Sequence, residues 1–83
     1  MKTVELNGKK YKVDEDKLDD WDFMKMLCNL KENPLELVKV GNFLLGEEQN
    51  KKLEESFRKD GKIKTSEMMQ AYTDLLEQLK VKN

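Results

Sequence analysis

The first residues of the chain alternate between apolar and polar positions on both sides of an Asn-Gly pair, in the stretch TVELNGKKYKV. Asn7 and Gly8 are the preferred pair for a type I′ turn, because both residue types tolerate positive φ. A two-residue loop pairs Val4 with Tyr11 and gathers the apolar side chains on one face: Val4, Leu6, Tyr11 and Val13. The pattern predicts a β-hairpin over residues 3–13, which must pack on another element because an isolated hairpin is barely stable.

After this hairpin the apolar positions change to helical spacing. They predict four helices, at about residues 19–32, 34–45, 47–59 and 66–80. Asn33 and Pro34 divide the first two helices, with Asn33 as the N-cap and Pro34 in the first turn. Gly46 is expected to end the second helix, and Thr65 or Ser66 to cap the last one. The tail, residues 81–83, is expected to fray.

These elements predict an α+β fold that is mainly α, with an N-terminal hairpin and a helical body in a single domain, residues 1–83. The length of 83 residues and the 37% hydrophobic content suit one small core. Gly41 lies inside an apolar helix, where glycine costs about 1 kcal/mol relative to alanine. We expect this glycine to allow a neighbouring element to pack closely.

Charged residues make up 40% of the chain, but 16 basic residues nearly cancel 17 acidic ones. This balance does not favour nucleic acid or an anionic membrane as a partner. No apolar run approaches the ~18 residues of a membrane span, and the N-terminus lacks the apolar core of a signal peptide. A lone cysteine cannot form an internal disulfide, so a cytoplasmic location is expected.

One segment departs from this balance, because residues 14–22 carry six acidic side chains against one lysine, around a single tryptophan. An EF-hand calcium loop is not favoured, since Leu18, Asp19 and Lys25 stand where it needs an acid, a glycine and a glutamate. The acids suit the start of a helix, with Asp19 or Asp20 as the cap. The other interpretation is a docking surface for a basic, partly apolar partner.

Catalytic chemistry is difficult to place on this chain. The sequence has no histidine, which removes the commonest general base and metal ligand. Cys28 falls in an apolar helical stripe and is expected to be a buried structural cysteine. None of the four glycines lies in a phosphate-binding frame. The sequence therefore predicts a protein that is not an enzyme and that uses no metal and no cofactor.

Two apolar patches are candidates for binding a partner protein. Methionines occur in near-adjacent pairs, Met24 with Met26 and Met68 with Met69, so one of each pair can line an adaptable exposed patch, although core filling is the simpler alternative. Trp21 either covers the hairpin face or anchors a partner. The candidate partner-binding residues are Trp21, Phe23, Met24, Met68, Tyr72, Leu75, Leu76 and Leu79.

Four segments follow one another along nearly the whole chain: a hairpin of the type VELNGKxY, then LDDWDFMKML, then NPLELVKV with LLGEEQ, and finally DGKI before an amphipathic helix. The most specific features are Trp21 after the paired acids, the junction from Leu44 to Gln49, and the turn from Asp60 to Lys62. This order resembles the tail assembly chaperones of long-tailed phages and their prophages.

The resemblance implies a non-enzymatic protein of the bacterial host cytoplasm that binds the tape-measure protein and keeps it soluble while tail-tube subunits polymerise around it. It also implies that a longer form can arise by ribosomal frameshifting. A long helical client needs a shallow apolar surface that accepts helices of varied sequence. The alternative is a small cytosolic helical adaptor or regulator that acts by protein–protein interaction and can dimerise through its last helix.

Overall fold

A computed structural model describes residues 1–80, and it shows a hairpin followed by helices. The elements, in chain order, are β1 (Lys2–Leu6), β2 (Lys9–Val13), a 3-10 helix (Glu15–Asp19), α1 (Trp21–Leu30), α2 (Glu36–Phe57) and α3 (Thr65–Gln78). The predicted fold class, mainly α with an N-terminal antiparallel hairpin, is confirmed. The tail for which fraying is predicted, residues 81–83, lies outside the described residues.

The hairpin forms in the predicted register, with Val4 opposite Tyr11. Asn7 and Gly8 both have positive φ, 51° and 78°, as a type I′ turn requires. Asn7 also ties the turn to α2, because its side-chain amide donates to the Ser56 carbonyl at 3.2 Å. The predicted apolar face forms, and its four side chains are all buried: Val4, Leu6, Tyr11 and Val13.

A glutamine side chain from a helix pairs with each outer edge of the hairpin. Gln78 of α3 accepts a hydrogen bond from the Glu5 N–H at 2.8 Å and donates to the Glu5 carbonyl at 2.7 Å. Gln49 of α2 does the same for Lys12, at 2.9 Å and 2.7 Å. Each side-chain amide copies the pairing of a neighbouring strand, so it satisfies backbone groups that a sheet edge leaves open.

The acidic segment forms two successive helix caps. The Asp14 carboxylate accepts from the Asp16 N–H at 3.0 Å and starts the 3-10 helix. The Asp20 carboxylate accepts from the N–H groups of Asp22 and Phe23, at 2.8 Å and 3.2 Å, and starts α1. The predicted cap is therefore confirmed at Asp20. Because the 3-10 helix extends to Asp19, α1 begins at Trp21 and not at residue 19 as predicted.

The second and third predicted helices follow one another directly within α2, and a kink at Gly46 separates them. The backbone of Gly46 has φ 80° and ψ 159°, a conformation that residues with a side chain rarely adopt. The predicted break is therefore present as a kink. α2 begins at Glu36, with Leu35 and not the predicted Asn33 as its N-cap. The Asn33 side chain accepts from the Leu35 N–H at 3.2 Å, just before the helix.

The helices pack over the buried face of the hairpin and form one core. α3 contacts β1 and α2, while α2 also contacts β2 and α1. Within this core the backbone of Gly41 meets the ring of Tyr72, and a Cβ at position 41 would overlap that ring. The close packing predicted at Gly41 is thus confirmed.

The start of α3 differs from the prediction. Lys64 is the N-cap, with an extended backbone and no side-chain cap hydrogen bond, and the helix begins at Thr65. The prediction that Thr65 or Ser66 caps this helix is therefore wrong. The backbone groups of Lys59 and Lys62 bond each other at 2.8 Å and 2.9 Å, which closes the turn that precedes α3.

Candidate functional site

The structure divides the eight predicted partner-binding residues into two exposed and six buried side chains. Trp21 and Met24 lie on the surface of α1, with 74% and 48% of their area exposed. The other six belong to the core: Phe23, Met68, Tyr72, Leu75, Leu76 and Leu79. The stripe on α3 is therefore the side of that helix that faces the core, which corrects the expectation of an open apolar surface there.

The α3 stripe is buried because the hairpin and α2 cover it. An amphipathic stripe has the same sequence pattern whether it faces a core or a partner. Tyr72 penetrates this core, and its hydroxyl donates to the buried side chain of Asn50 at 2.5 Å. Burial, reinforced by the charge of Glu54, raises the pKa of Tyr72 to about 12, although the hydrogen bond with Asn50 opposes the rise. These contacts give Tyr72 a structural role.

Phe23 is buried because α1 turns it toward α2, where its ring stacks on Phe43 with the centroids 5.9 Å apart. Lys17 fixes the same region, since its ammonium donates to the Phe43 carbonyl at 3.0 Å and lies 5.7 Å from the ring centroid. Trp21 and Phe23 are close neighbours in the sequence, yet Trp21 faces solvent and Phe23 faces the core.

Trp21, Met24 and Cys28 form an exposed stripe along α1, termed here the α1 outer face. Their spacing of three and then four residues places them on one side of the helix. The prediction of a buried Cys28 is wrong, because Met26 and Leu27 turn toward the core in its place. Trp21 does not cover the hairpin face either. Exposed side chains of this size, grouped on one face, are typical of interaction surfaces.

Carboxylates border the α1 outer face at its N-terminal end. Asp19 and Asp20 line, with Trp21 and Met24, a surface hollow of about 230 Å³. Asp22 is exposed on the same turn and pairs with Lys25 at 3.4 Å. An apolar anchor beside carboxylates suits a partner segment that combines apolar and basic side chains.

Only the first methionine pair divides between core and surface. Met24 is exposed while Met26 packs against the core, as the pairing predicts. On α3, Met68 is buried and Met69 is half-buried against the core, where it lines a shallow hollow of about 430 Å³ at the meeting point of α1, α2 and α3. Leu76, one of the predicted site residues, contributes to the same hollow.

A second surface feature, which the sequence analysis does not predict, is a groove of about 610 Å³ between β2 and the second half of α2. It is termed here the lysine groove, and its lining includes Lys9, Lys10, Tyr11, Gln49, Lys51 and Lys52. The four lysines come from two elements that lie far apart in the chain, so their proximity depends on the packing of the hairpin against α2.

The Tyr11 hydroxyl is buried and finds no hydrogen-bond partner of acceptable geometry within the described residues. Burial raises the pKa of Tyr11, and the neighbouring Ser56 hydroxyl partly opposes that rise. The Ser56 hydroxyl already donates to the Leu53 carbonyl at 2.6 Å. The Tyr11 hydroxyl therefore lies buried close to Ser56, without a hydrogen bond of good geometry to it, which is uncommon for a buried polar group.

Comparison with models of known protein families, with curated proteins and with solved structures finds no match to this chain. In residues 1–80, none of the helices has the length and apolar character needed to cross a membrane. In that same part of the chain, no group of acidic or cysteine side chains is arranged to hold a metal ion.

Proposed function

We propose that this protein is a tail assembly chaperone of a long-tailed phage or prophage. In this proposal it acts by binding and not by catalysis, in the cytoplasm of the bacterial host. It holds the tape-measure protein in a soluble state and promotes the assembly of tail-tube subunits around it. The resemblance in segment order supports the identity of the client, and the exposed indole of Trp21 supports the location of the binding surface.

Trp21 differs from the other aromatic residues of the chain, all of which are buried or half-buried. An exposed tryptophan without a packing role in its own domain is typical of a binding anchor, because tryptophan supplies a large apolar area at a small cost in side-chain entropy. Met24 extends the anchor with a flexible side chain that adapts to different neighbours. Together they suit a client that presents many helical segments of varied sequence.

The α1 outer face has the shape of a helix-docking stripe. Trp21, Met24 and Cys28 follow one side of α1 over two turns, so a client helix lying alongside would contact them in succession. The exposed carboxylates of Asp19 and Asp22 at the border favour a client helix with lysine or arginine beside its apolar stripe. The carboxylates at one end of the stripe orient the client helix along α1, and the apolar stripe accepts helices of varied sequence.

The test is co-expression with the tape-measure protein of the same genome, followed by pull-down and a solubility assay. We expect a soluble complex with several copies of this chain per client. Trp21→Ser combined with Met24→Ser should abolish it. The matched control is Leu35→Ser combined with Val38→Ser, which removes two other exposed apolar side chains, 64% and 45% exposed, from the N-cap and first turn of α2.

The outcomes separate the client from the surface. If the unmodified protein is folded and the client stays insoluble and unbound, the chaperone assignment fails, and a small cytosolic helical adaptor or regulator becomes the better interpretation. If the complex forms but both double variants weaken it equally, the α1 outer face is not the binding site. A complex that survives the α2 variant and not the α1 variant supports both parts of the proposal.

A further inference from the structure

The lysine groove contains features that the α1 outer face does not use. We propose that it binds an extended, acidic segment of a partner protein, which adds to the outer edge of β2 at Lys10. The occupant is defined by its chemistry, a peptide strand rich in glutamate or aspartate. This inference goes beyond the proposed function and does not depend on the identity of the client of α1.

The outer edge of β2 is open at Lys10. Gln49 bonds both the N–H and the carbonyl of Lys12, which shows that these groups point away from β1. Residues two apart in a strand direct their backbone groups to the same side, so the N–H and carbonyl of Lys10 also point outward, into the groove that this residue lines. Within residues 1–80 they meet no partner. The strand edge therefore offers the N–H donor and the carbonyl acceptor of Lys10, next to the Lys12 groups that Gln49 already bonds.

The charge of the groove selects an acidic occupant. Its four lysines form no ion pair within the described residues, and they outnumber the two acids of the lining, Glu48 and Glu55, of which Glu55 is engaged with Arg58. The remaining positive charge attracts carboxylates to the edge. A second copy of β2 would place lysines against lysines, and like charges on paired strands are destabilising. The partner strand is therefore not β2 of another copy.

Tyr11 adds a second, independent indication of a ligand. Tyr11 lines the groove but is only 4% exposed, and its buried hydroxyl makes no hydrogen bond of acceptable geometry within residues 1–80. The Ser56 hydroxyl uses its single proton on the Leu53 carbonyl at 2.6 Å and accepts from the Asn7 amide at 3.1 Å, so it has no proton to donate to the Tyr11 oxygen. A carboxylate or carbonyl oxygen in the groove would accept the hydrogen bond that Tyr11 lacks.

A peptide fits these groups better than a phosphate or a nucleic-acid backbone does. A phosphate can accept from the lysines, from the Tyr11 hydroxyl and from the Lys10 N–H, but it has no donor for the Lys10 carbonyl. A peptide strand brings both an N–H and a carbonyl, as in other cases of strand addition to a sheet edge. The donor and acceptor side by side at Lys10 therefore favour a polypeptide as the occupant.

The probe is an acetylated and amidated peptide of alternating glutamate and threonine, roughly eight residues long to match a strand. Binding is followed in the full chain by fluorescence anisotropy and by amide chemical shifts, at low ionic strength. We expect the largest shifts at the Lys10 amide and the Gln49 side-chain amide. Lys51→Glu combined with Lys52→Glu should weaken binding about tenfold or more. Lys62→Glu combined with Lys64→Glu changes the net charge equally, lies outside the groove, and should leave the affinity close to that of the unmodified protein.

A second peptide, in which proline replaces the threonines, keeps the carboxylates and removes backbone donors. The proposal expects it to bind much more weakly; equal binding would reduce the groove to a charge patch and overturn the strand addition. Equal weakening by both pairs of lysine variants would have the same consequence.

No binding of the first peptide would mean that the lysines only protect the edge from aggregation. A DNA oligonucleotide that shifts the same amides more strongly would assign the groove to nucleic acid. The solubility assay with the tape-measure protein tests the chaperone proposal, and the peptide titration tests the lysine groove. Either proposal can therefore fail without affecting the test of the other.

Discussion

The backbone of Gly41 lies directly against the ring of Tyr72, with no room for a side chain between α2 and α3. The same tyrosine donates its hydroxyl hydrogen bond to Asn50, on the other side of the kink at Gly46. One side chain of α3 therefore contacts both halves of the bent helix. These two contacts fix how α2 lies across α3, and the hairpin packs on the surface that results.

Replacing Gly41 with alanine is expected to lower the free energy of unfolding. In an open helix this change would stabilise by about 1 kcal/mol, but here the new methyl group overlaps the Tyr72 ring. Displacing a buried ring should reverse the sign and cost about 1–3 kcal/mol. Urea denaturation followed by circular dichroism measures the difference. The control is Asn42→Ala at the exposed neighbouring position, expected within about 0.5 kcal/mol of the unmodified protein. Equal stability of the two variants would contradict this account of the contact.

Tyr72→Phe is expected to change how stability depends on alkaline pH. The folded protein raises the pKa of Tyr72 from 10.0 to about 12, so the folded state holds the phenolic proton more tightly than the unfolded chain does. The associated stability is fully present below pH 10.0 and is lost as the pH rises toward about 12. The slope contributed by this one group is at most about 1.4 kcal/mol per pH unit.

The variant separates this effect from other titrations. Near neutral pH, Tyr72→Phe should be less stable by about 1–2 kcal/mol, because Asn50 loses its buried partner. That difference in stability should shrink as the pH rises above 10.0. Only the unmodified protein loses stability there, because only it has a Tyr72 hydroxyl with a raised pKa. Denaturation curves at several alkaline pH values measure it. A constant difference would show that Tyr72 does not titrate with a raised pKa.

The hairpin was the most predictable part of this fold because its signals are local. The Asn-Gly turn and the period-two alternation specify the register without any information about distant residues. The start of α1 was predictable for the same reason, since Asp20 caps its own helix. The cap of α3 was not, because the helix begins at Thr65 after Lys64, which has no side-chain cap hydrogen bond, although two hydroxyl residues follow it.

The binding surfaces were less predictable because they depend on which face of each helix is covered. The stripe on α3 and the α1 outer face are both apolar in sequence, and only the packing of the hairpin and α2 on α3 distinguishes them. The lysine groove requires β2 and α2 to meet, and the glutamine contacts of Gln49 and Gln78 join residues 37 and 73 positions apart. No local pattern contains that information.

Removing one glutamine should open only the strand edge that it covers. Gln49→Ala leaves the Lys12 N–H and carbonyl to water, so the Lys12 amide should exchange its hydrogen faster, while the Glu5 amide stays protected by Gln78. Gln78→Ala should give the reciprocal result. Each variant should cost about 0.5–1.5 kcal/mol per lost hydrogen bond. Hydrogen exchange followed by NMR resolves both amides. Loss of protection at both sites in one variant would indicate that the whole hairpin detaches as a unit.

Trp21 and Phe23 should respond in opposite ways to truncation. Phe23 is 1% exposed and stacks on Phe43, so Phe23→Ala should cost about 3–5 kcal/mol. Trp21 is 74% exposed, and Trp21→Ala should change the free energy of unfolding by less than about 0.5 kcal/mol. Urea denaturation compares the two variants directly. A large loss of stability in Trp21→Ala would show that the indole packs on its own domain, which would remove it as a binding anchor.

The fluorescence of Trp21 gives an independent measurement in the unmodified protein, because it is the single tryptophan of the chain. An indole with 74% of its area in water should emit at long wavelength and be quenched readily by a small solute such as acrylamide. Binding of a client to the α1 outer face should shift that emission to shorter wavelength and protect it from the quencher, since the indole is then desolvated. A complex that forms without either change would place the client elsewhere on the molecule. The same spectra, recorded while the lysine groove is titrated with the acidic peptide, should remain unchanged, because Trp21 does not line that groove.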